Sequence, residues 1–507
     1  MLIIKFAVKK LFLNSRKYFV ASTAAALLAV APATYADVDG PLLGDPTLLG
    51  TTSFKLSDVG YEQSEYFISG TAKSYKSAVP LATNGKWSVS VADTAYYKTR
   101  FVVYRPSDPA KFNGTVIVEW FNVSGGTEAS SQWIMTHAEL IRKGYAWVGV
   151  SAQKAGIDGG GVSLSGLSLP LKLLNLVRYL TLVHPGDKYS FDMFSQVARA
   201  VVRPNWWEPN PLKGLTVKRA IAAGESQSAD FMLTYANAVA PIDKLFNGYF
   251  IHSRVHGTVG LTPDSNPIMN FSSRATMKLR DDLGVPSMML MTETDLTFLG
   301  ALPDRQDDSK NIRTWEIAGA AHADDYVSTS GLADKGTDPA IAKVVENKNA
   351  VPVLVTCDRN INSGPQHFVA NAAIAALDNW IRTGYAPTNA PRLQLTGSPA
   401  AFVRDSVGNA LGGIRTPYVD APMATLSGEG NSFSALIPDD NKNTLCKLFG
   451  TTQLLSSTQL MSLYPNHATY VAAVNNSVDG AVLKGFLLKP DGDLIKSWAN
   501  SSSIGNY

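Results

Sequence analysis

The sequence of 507 residues predicts an α/β fold with a mostly parallel central sheet and helices on both faces. Apolar runs typical of strands alternate with stretches of helical periodicity from about residue 98 to residue 385. Such alternation is typical of parallel sheets covered by helices. Hydrophobic residues make up 45% of the chain and charged residues 17%, which argues against disorder. The length suits one large domain with insertions or two smaller domains.

The predicted core spans residues 98–385. Its strands are predicted at 99–104, 115–120, 145–150, 217–223, 248–252, 287–291 and 314–317. Its helices are predicted at 132–142, 189–202, 228–239 and 368–383.

Three further regions do not fit a minimal α/β core. Residues 37–97 contain short alternating β runs, which predict strands added at a sheet edge. Residues 154–216 separate two predicted strands and are interpreted as a cap insertion over the site. Residues 386–507 form a Pro/Gly/Asn-rich extension, which we expect to pack on the core because it contains many apolar residues.

Residues 1–36 are typical of a cleaved signal peptide. A basic segment precedes an apolar run at 18–30, and Thr34 and Ala36 supply small residues before the expected cut. The alternative is a membrane anchor, but the apolar run is shorter than the roughly 20 residues that a spanning helix needs. We therefore expect a secreted or periplasmic protein with no membrane span after cleavage.

The charge balance argues against a nucleic-acid partner. The formal charge of +3 becomes −2 once the five basic residues of segment 1–36 are removed. Nucleic-acid-binding proteins usually have a strong basic excess or patch.

Only two cysteines occur, Cys357 and Cys446. This count excludes a disulfide-rich scaffold and a multi-cysteine metal site. Because export permits disulfides, we expect a Cys357–Cys446 bridge. Two separate buried thiols are the alternative.

The segment Gly224-Glu-Ser226-Gln-Ser228 lies between a predicted strand and a predicted helix. This context is required of a nucleophile elbow, G-x-S-x-G, in which small residues two before and two after the serine allow a sharp turn. The last position departs from the consensus, but serine is also small. Ser226 is therefore the candidate nucleophile, and a chance match in a loop is the alternative.

A serine hydroxyl needs a base to take its proton. His322 follows the last predicted strand, and the small residues 319–321 let its loop turn back toward Ser226. The orienting acid should follow the preceding strand, where Glu293 and Asp295 both occur. Asp295 is favoured because it lies three residues past the strand end, with Glu293 as the alternative.

An oxyanion hole needs two N–H donors. One is expected from Gln227, at the start of the helix after Ser226. The second is expected from the loop after strand 115–120, with Asn122 and Val123 as candidates. Trp206, Trp207 and Phe121 are candidates for lining the substrate pocket, since aromatic residues favour such sites.

No metal or cofactor site is expected. His252 and His256 lack an accompanying histidine–carboxylate motif such as H-E-x-x-H, and the glycine run at 159–161 lacks the lysine of a phosphate loop.

Seven segments span nearly the whole chain after residue 36: VIVEWFNVSGG, GYAWVGVSAQKAGIDG, HPGDKYSFDMFSQ, AAGESQSADF, MLMTETDL, EIAGAAHADDY and GNALGGIRTPYVDAP. In combination they resemble the bacterial and fungal alpha/beta hydrolase domain-containing proteins. The resemblance implies an α/β-hydrolase fold and a serine-dependent ester hydrolase with Ser226 and His322 as catalytic residues. It implies no particular substrate.

The expected function is hydrolysis of a small-molecule or polymeric carboxylic ester through an acyl-enzyme. The same triad could instead serve an acyltransferase, a lactonase or an amidase. A non-catalytic binding protein of the same fold is a further alternative, although it would be expected to have lost at least one triad residue.

Overall fold

The structure is a computed structural model that describes residues 36–161, 163–263, 271–344, 348–351, 354–434 and 439–507. The predicted signal peptide therefore lies outside the described residues, apart from Ala36.

A sheet of nine strands organises the described part of the chain. The strands are β1 (Asp37–Asp39), β2 (Tyr61–Lys76), β3 (Ser90–Pro106), β4 (Thr115–Trp120), β5 (Ala146–Val150), β6 (Arg219–Glu225), β7 (Gly248–His252), β8 (Ser287–Met291) and β9 (Ile312–Glu316). Their order across the sheet is β1-β2-β3-β5-β4-β6-β7-β8-β9. Neighbouring strands are antiparallel from β1 as far as β5 in this order, and parallel from β5 to β9.

Three two-stranded pairs lie outside this sheet: β10 (Ala350–Val351) with β11 (Val355–Thr356), β12 (Leu395–Thr396) with β13 (Ala401–Phe402), and β14 (Ala424–Ser427) with β15 (Thr451–Leu454).

The α-helices are α1 (Ser131–Arg142), α2 (Lys154–Asp158), α3 (Leu171–Leu174), α4 (Leu176–Tyr179), α5 (Ser190–Val202), α6 (Gln227–Ala238), α7 (Ala240–Asp243), α8 (Glu293–Leu296), α9 (Gly331–Ala333), α10 (Gln366–Thr383), α11 (Pro417–Asp420), α12 (Asp440–Leu448), α13 (Ser457–Leu463), α14 (His467–Lys484) and α15 (Lys489–Ser501).

Helices cover both faces of the sheet, as the sequence predicts. Successive residues of a strand point to opposite faces, so β4 sends Val116 and Val118 into the core beneath α5 and α6. Ile117, between them, packs in the core beneath α1 and α10. The predicted fold class is confirmed.

The amino-terminal strands are longer than the short runs that the sequence indicates. β2 has 16 residues and β3 has 17, and they pair along almost their whole length. The predicted boundary at residue 98 falls inside β3. The first half of that strand is polar and largely exposed, so it lacks the apolar pattern from which a strand is predicted.

The predicted cap insertion divides into two structural parts. Helix α5 packs against the sheet as part of the core. Nearer its start, Leu164 and Leu169 donate backbone hydrogen bonds to Ser124 and Gly126, at 3.0 and 2.7 Å. This earlier part therefore borders the loop after β4, where the candidate site lies.

The C-terminal extension packs against the core and contains two long helices, α14 and α15, that the sequence pattern does not predict. Ile414 bridges to Ile317 directly after β9. At the other side, Asp491 of α15 accepts hydrogen bonds from Arg142 of α1 and from Asn371 of α10, at 2.7 and 3.1 Å.

Cys357 and Cys446 form the expected disulfide, which links the segment after β11 to α12. Around it lies an apolar cluster that also includes Val255 and Leu299, from the loops after β7 and β8. Among the described residues, no helix is long and apolar enough to cross a membrane.

Candidate active site

Ser226 lies at the sharp turn between β6 and α6, as the elbow motif predicts. Its backbone has φ 59° and ψ −124°, a strained conformation for a residue with a Cβ atom. A Cβ on Gly224 would lie 2.5 Å from the Ser228 carbonyl oxygen, so only glycine fits there. Strand and helix can therefore approach closely at this turn.

Ser228, which replaces the second consensus glycine, closes the turn by hydrogen bonding. Its hydroxyl donates to the Glu225 carbonyl oxygen at 2.7 Å and accepts from the Glu225 N–H at 3.1 Å. The second glycine of G-x-S-x-G is thus replaced by a small residue whose hydroxyl is hydrogen-bonded to the Glu225 backbone.

The structure brings Ser226, His322 and Asp295 into one hydrogen-bonded chain. The Ser226 hydroxyl lies 2.8 Å from His322 Nε2, and His322 Nδ1 lies 2.6 Å from Asp295 Oδ1. All three residues are buried. With Nδ1–H donating to the carboxylate, Nε2 is left to accept from the serine, which is the arrangement of a general base.

Asp295 is held in place by the start of α8. Its Oδ2 accepts from the Thr292 N–H at 2.6 Å, and its own N–H donates to the Thr292 hydroxyl in a capping box. One carboxylate oxygen is therefore used to anchor the helix, while the other faces His322.

Glu293, the alternative acid, points elsewhere. Its carboxylate accepts from the N–H groups of Gly319 and Gly428, at 2.7 and 3.1 Å, and lies 3.6 Å from Arg404. It links the loop before His322 to the C-terminal extension.

The C-terminal extension contacts the histidine loop directly, a role that the sequence analysis does not predict. The Thr294 hydroxyl accepts from the His322 N–H at 3.1 Å and donates to the Gly428 carbonyl oxygen at 2.7 Å. The Ala323 N–H donates to the Leu448 carbonyl oxygen at 3.1 Å. No local motif signals these partners, because they lie more than a hundred residues away along the chain.

Of the candidate oxyanion donors, Asn122 is excluded by its own hydrogen bond. Its N–H donates to the Ala129 carbonyl oxygen at 3.1 Å. The Val123 N–H points toward the elbow, where it donates to Gln227 Oε1 at 3.2 Å. The Gln227 N–H is the first of α6 and has no intrahelical acceptor. The acceptor of the Asn122 N–H belongs to the backbone, whereas that of the Val123 N–H belongs to a side chain, which can move away. Of the candidates, the geometry therefore favours Val123 and Gln227 as the pair of donors.

Of the aromatic residues expected at the pocket, Trp206 and Trp207 lie away from Ser226, and Phe121 packs in the core. Trp206 and Trp207 are 91% and 60% exposed. They lie in the segment that enters β6 at its amino end, where Lys218 and Arg219 bond to Gly114. Ser226 follows the opposite, carboxyl end of β6. Phe121 is buried in the core against Trp147, so core packing accounts for it.

The charge environment favours protonation of His322. Burial of the imidazole opposes its charge, but the hydrogen bond and negative charge of Asp295 outweigh burial and raise the pKa of His322. His252, in contrast, is buried with glutamine side chains as hydrogen-bond partners, and desolvation outweighs the charge of Asp295 and lowers the pKa of His252 to about 4. Its ring bonds to Gln132 and Gln366 at 3.1 Å each. His252 is thus a neutral residue beneath the elbow.

No group of three or more His, Cys, Asp or Glu side chains that could hold a metal occurs in the described part of the chain. His256 instead contacts Asp304 at 2.9 Å and the Arg274 carbonyl oxygen at 2.8 Å.

Solved structures with partial similarity to this chain include three hydrolases. A glucuronoyl esterase from Solibacter usitatus is 12% identical and has a TM-score of 0.28, covering 55% of this chain and 83% of its own. An acetyl xylan esterase from a Thermoanaerobacterium species is 13% identical with a TM-score of 0.27, covering 54% and 81%. A dienelactone hydrolase from Anabaena variabilis is 12% identical with a TM-score of 0.25, covering 43% and 80%. No curated protein matches the sequence significantly.

A family model described as "Alpha/beta hydrolase domain" matches residues 31–497, almost the whole chain. The match includes residues 386–497 of the C-terminal extension, which contain the contacts with the histidine loop. The elbow, the strand order and this match lead to one conclusion: the chain belongs to the alpha/beta hydrolase domain family.

Proposed function

We propose that this protein is a secreted or periplasmic serine hydrolase that cleaves carboxylic esters. The observation that carries the proposal is the hydrogen-bonded chain from Ser226 through His322 to Asp295, with the serine on a strained elbow. Export is supported by the signal-like residues 1–36 and by the disulfide.

In the proposed reaction, Ser226 Oγ attacks the ester carbonyl carbon while its proton passes to His322 Nε2. The tetrahedral intermediate collapses to an acyl-enzyme, and the imidazolium gives its proton to the departing alcohol. Water then attacks the acyl-enzyme with His322 again as base, which releases the acid and restores Ser226. Asp295 keeps the imidazole in the required tautomer throughout.

The negative oxygen of the intermediate needs the two donors at the start of α6 and after β4. The Gln227 N–H lies at the positive end of α6. The Val123 N–H is held by the Gln227 side chain, so that carboxamide has to release it before a substrate oxygen can use it. Binding of the ester and displacement of the carboxamide are therefore coupled.

The direct test is hydrolysis of p-nitrophenyl esters by the mature protein and its Ser226→Ala variant. We expect activity to fall by about 10⁴-fold or more, since nucleophile and base act as a unit. A fluorophosphonate probe should label the wild type and not the variant. Ser195→Ala removes another buried serine, one that bonds to Tyr235, and should keep the labelling. Full ester turnover by Ser226→Ala would disprove the mechanism.

The proposed substrates are small-molecule or polymeric esters, without a further choice of acyl or alcohol group. An ester library graded by acyl length and aromaticity, with Ser226→Ala as the blank, measures that preference.

A further inference from the structure

Glu225, the residue before the nucleophile, is a buried carboxylate at the carboxyl end of β6. Its Oε1 lies 3.8 Å from His322 Nε2. This is the same nitrogen that lies 2.8 Å from Ser226 Oγ. His322 therefore has a carboxylate on each side, with Asp295 at Nδ1 and Glu225 near Nε2.

The same side chain contacts the loop that supplies the Val123 N–H. Asn122 Nδ2 donates to the Glu225 carbonyl oxygen at 3.1 Å and lies 3.4 Å from Glu225 Oε2. On the other side of Ser226, Gln227 Oε1 accepts from Val123. The two residues that flank the nucleophile thus both hold the loop after β4.

We propose that Glu225 is a positioning residue of this hydrolase, whose carboxylate stabilises protonated His322 during catalysis and fastens Asn122 to the elbow. The inference rests on the proposed function. Because the proton of Ser226 arrives at Nε2, a negative charge 3.8 Å from that atom favours the imidazolium that forms. Glu225 does not exchange a proton with the substrate in this scheme.

The surrounding groups are consistent with such coupling. Burial raises the pKa of Glu225 to about 7, and the nearby charge of Asp295 also raises it. The positive charge of His322 and hydrogen bonds from Ser131 and Asn122 act in the opposite direction. Glu119, on β4, is a further carboxylate whose charge interacts with Glu225, and the charge of Asp230 also acts on His322. Ionised Glu225 and protonated His322 therefore stabilise each other.

The test is the pH dependence of kcat/KM for Glu225→Gln, which keeps the shape and an acceptor for Asn122 but removes the charge. The acid limb of this profile reports protonation of the base in the free enzyme. Without the negative charge the pKa of His322 falls, so we expect the limb to move to lower pH by about 1 unit. The plateau should fall by roughly tenfold, because the imidazolium is less stabilised.

Two further variants make the test specific. Glu225→Asp keeps the charge one methylene away, and we expect its acid limb to lie closer to that of the wild type than the Gln limb does. Glu139→Gln is the matched control, since burial also raises the pKa of Glu139 to about 7, but this carboxylate pairs with Arg142 and has Asp491 as a neighbouring negative charge. The acid limb of the kcat/KM profile of Glu139→Gln should coincide with that of the wild type.

An unshifted acid limb in Glu225→Gln, with any loss confined to the plateau, would overturn the inference and leave the proposed function intact, provided that Ser226→Ala is inactive. Retained activity in Ser226→Ala would instead disprove both the proposed function and the inference about Glu225. Fluorophosphonate labelling of each variant establishes that the site is assembled. If the Gln variant does not fold, Glu225→Ala also removes the charge, with the same expected shift of the acid limb to lower pH and the same contradicting outcome.

Discussion

Replacing Asp295 by asparagine is the substitution that most directly tests which acid orients His322. The carboxylate is fully buried, with Oδ1 2.6 Å from His322 Nδ1 and Oδ2 2.6 Å from the Thr292 nitrogen. In the asparagine variant the amide oxygen can still accept from Thr292. The amide NH2 then faces Nδ1, which forces the proton onto Nε2 and prevents Ser226 from donating to the ring.

The expected loss follows from this tautomer change. A base in the wrong tautomer lowers kcat by on the order of 10³–10⁴-fold, which corresponds to about 4–5.5 kcal/mol of barrier at 1.36 kcal/mol per factor of ten. The free energy of unfolding should change by less than this barrier does, since the hydrogen bond from the Thr292 N–H can be retained.

Glu293→Gln is the matched comparison, because it also removes one buried negative charge from α8. Its carboxylate bonds to Gly319 and Gly428 and not to His322. A glutamine can keep one of these acceptors, so we expect a stability loss of about 1–3 kcal/mol and a kcat within roughly tenfold of the wild type.

The assay is steady-state hydrolysis of a p-nitrophenyl ester, with active sites counted by fluorophosphonate titration and folding followed by chemical denaturation. Equal losses of kcat in the two variants, or a larger loss in Glu293→Gln, would refute the assignment of Asp295 as the orienting acid.

Three other outcomes are expected. Reduction of Cys357–Cys446, whose sequence separation is 89 residues, should lower the free energy of unfolding by up to about 5 kcal/mol in denaturant titrations; an unchanged midpoint would contradict this. Gln227→Ala frees the Val123 N–H and should raise kcat/KM up to about fivefold, whereas a decrease would mean that the carboxamide supports the loop. Burial raises the pKa of Asp324 from 3.8 to about 7, so its native form binds more protons than the unfolded chain. The stability of the wild type relative to Asp324→Asn should therefore fall as pH rises from about 4 to 7, by on the order of 4 kcal/mol in unfolding titrations, and a pH-independent difference would exclude this.

Strands in the centre of the sheet are predictable because their apolar residues are continuous. The predicted ranges 115–120, 248–252 and 287–291 coincide with β4, β7 and β8, which are buried on both faces. The amino-terminal half of β3 is exposed and polar. It has no continuous apolar run, so the sequence does not predict that it pairs with β2. The sequence pattern does not predict helices α14 and α15, because each buries only a narrow row of residues. These residues pack in a cluster that also includes Phe368, Tyr418 and Leu426.

The sequence alone determined the elbow, the position of His322 in the chain and the two candidate acids, because these depend on residue size and on the order of strands. Only the tertiary structure shows that Asp295, and not Glu293, contacts His322. They are two residues apart on one short helix, and a rotation of about 100° per residue sends their carboxylates in different directions. The contacts of Val123, Gly428 and Leu448 likewise join segments that are distant along the chain, which local sequence patterns do not encode.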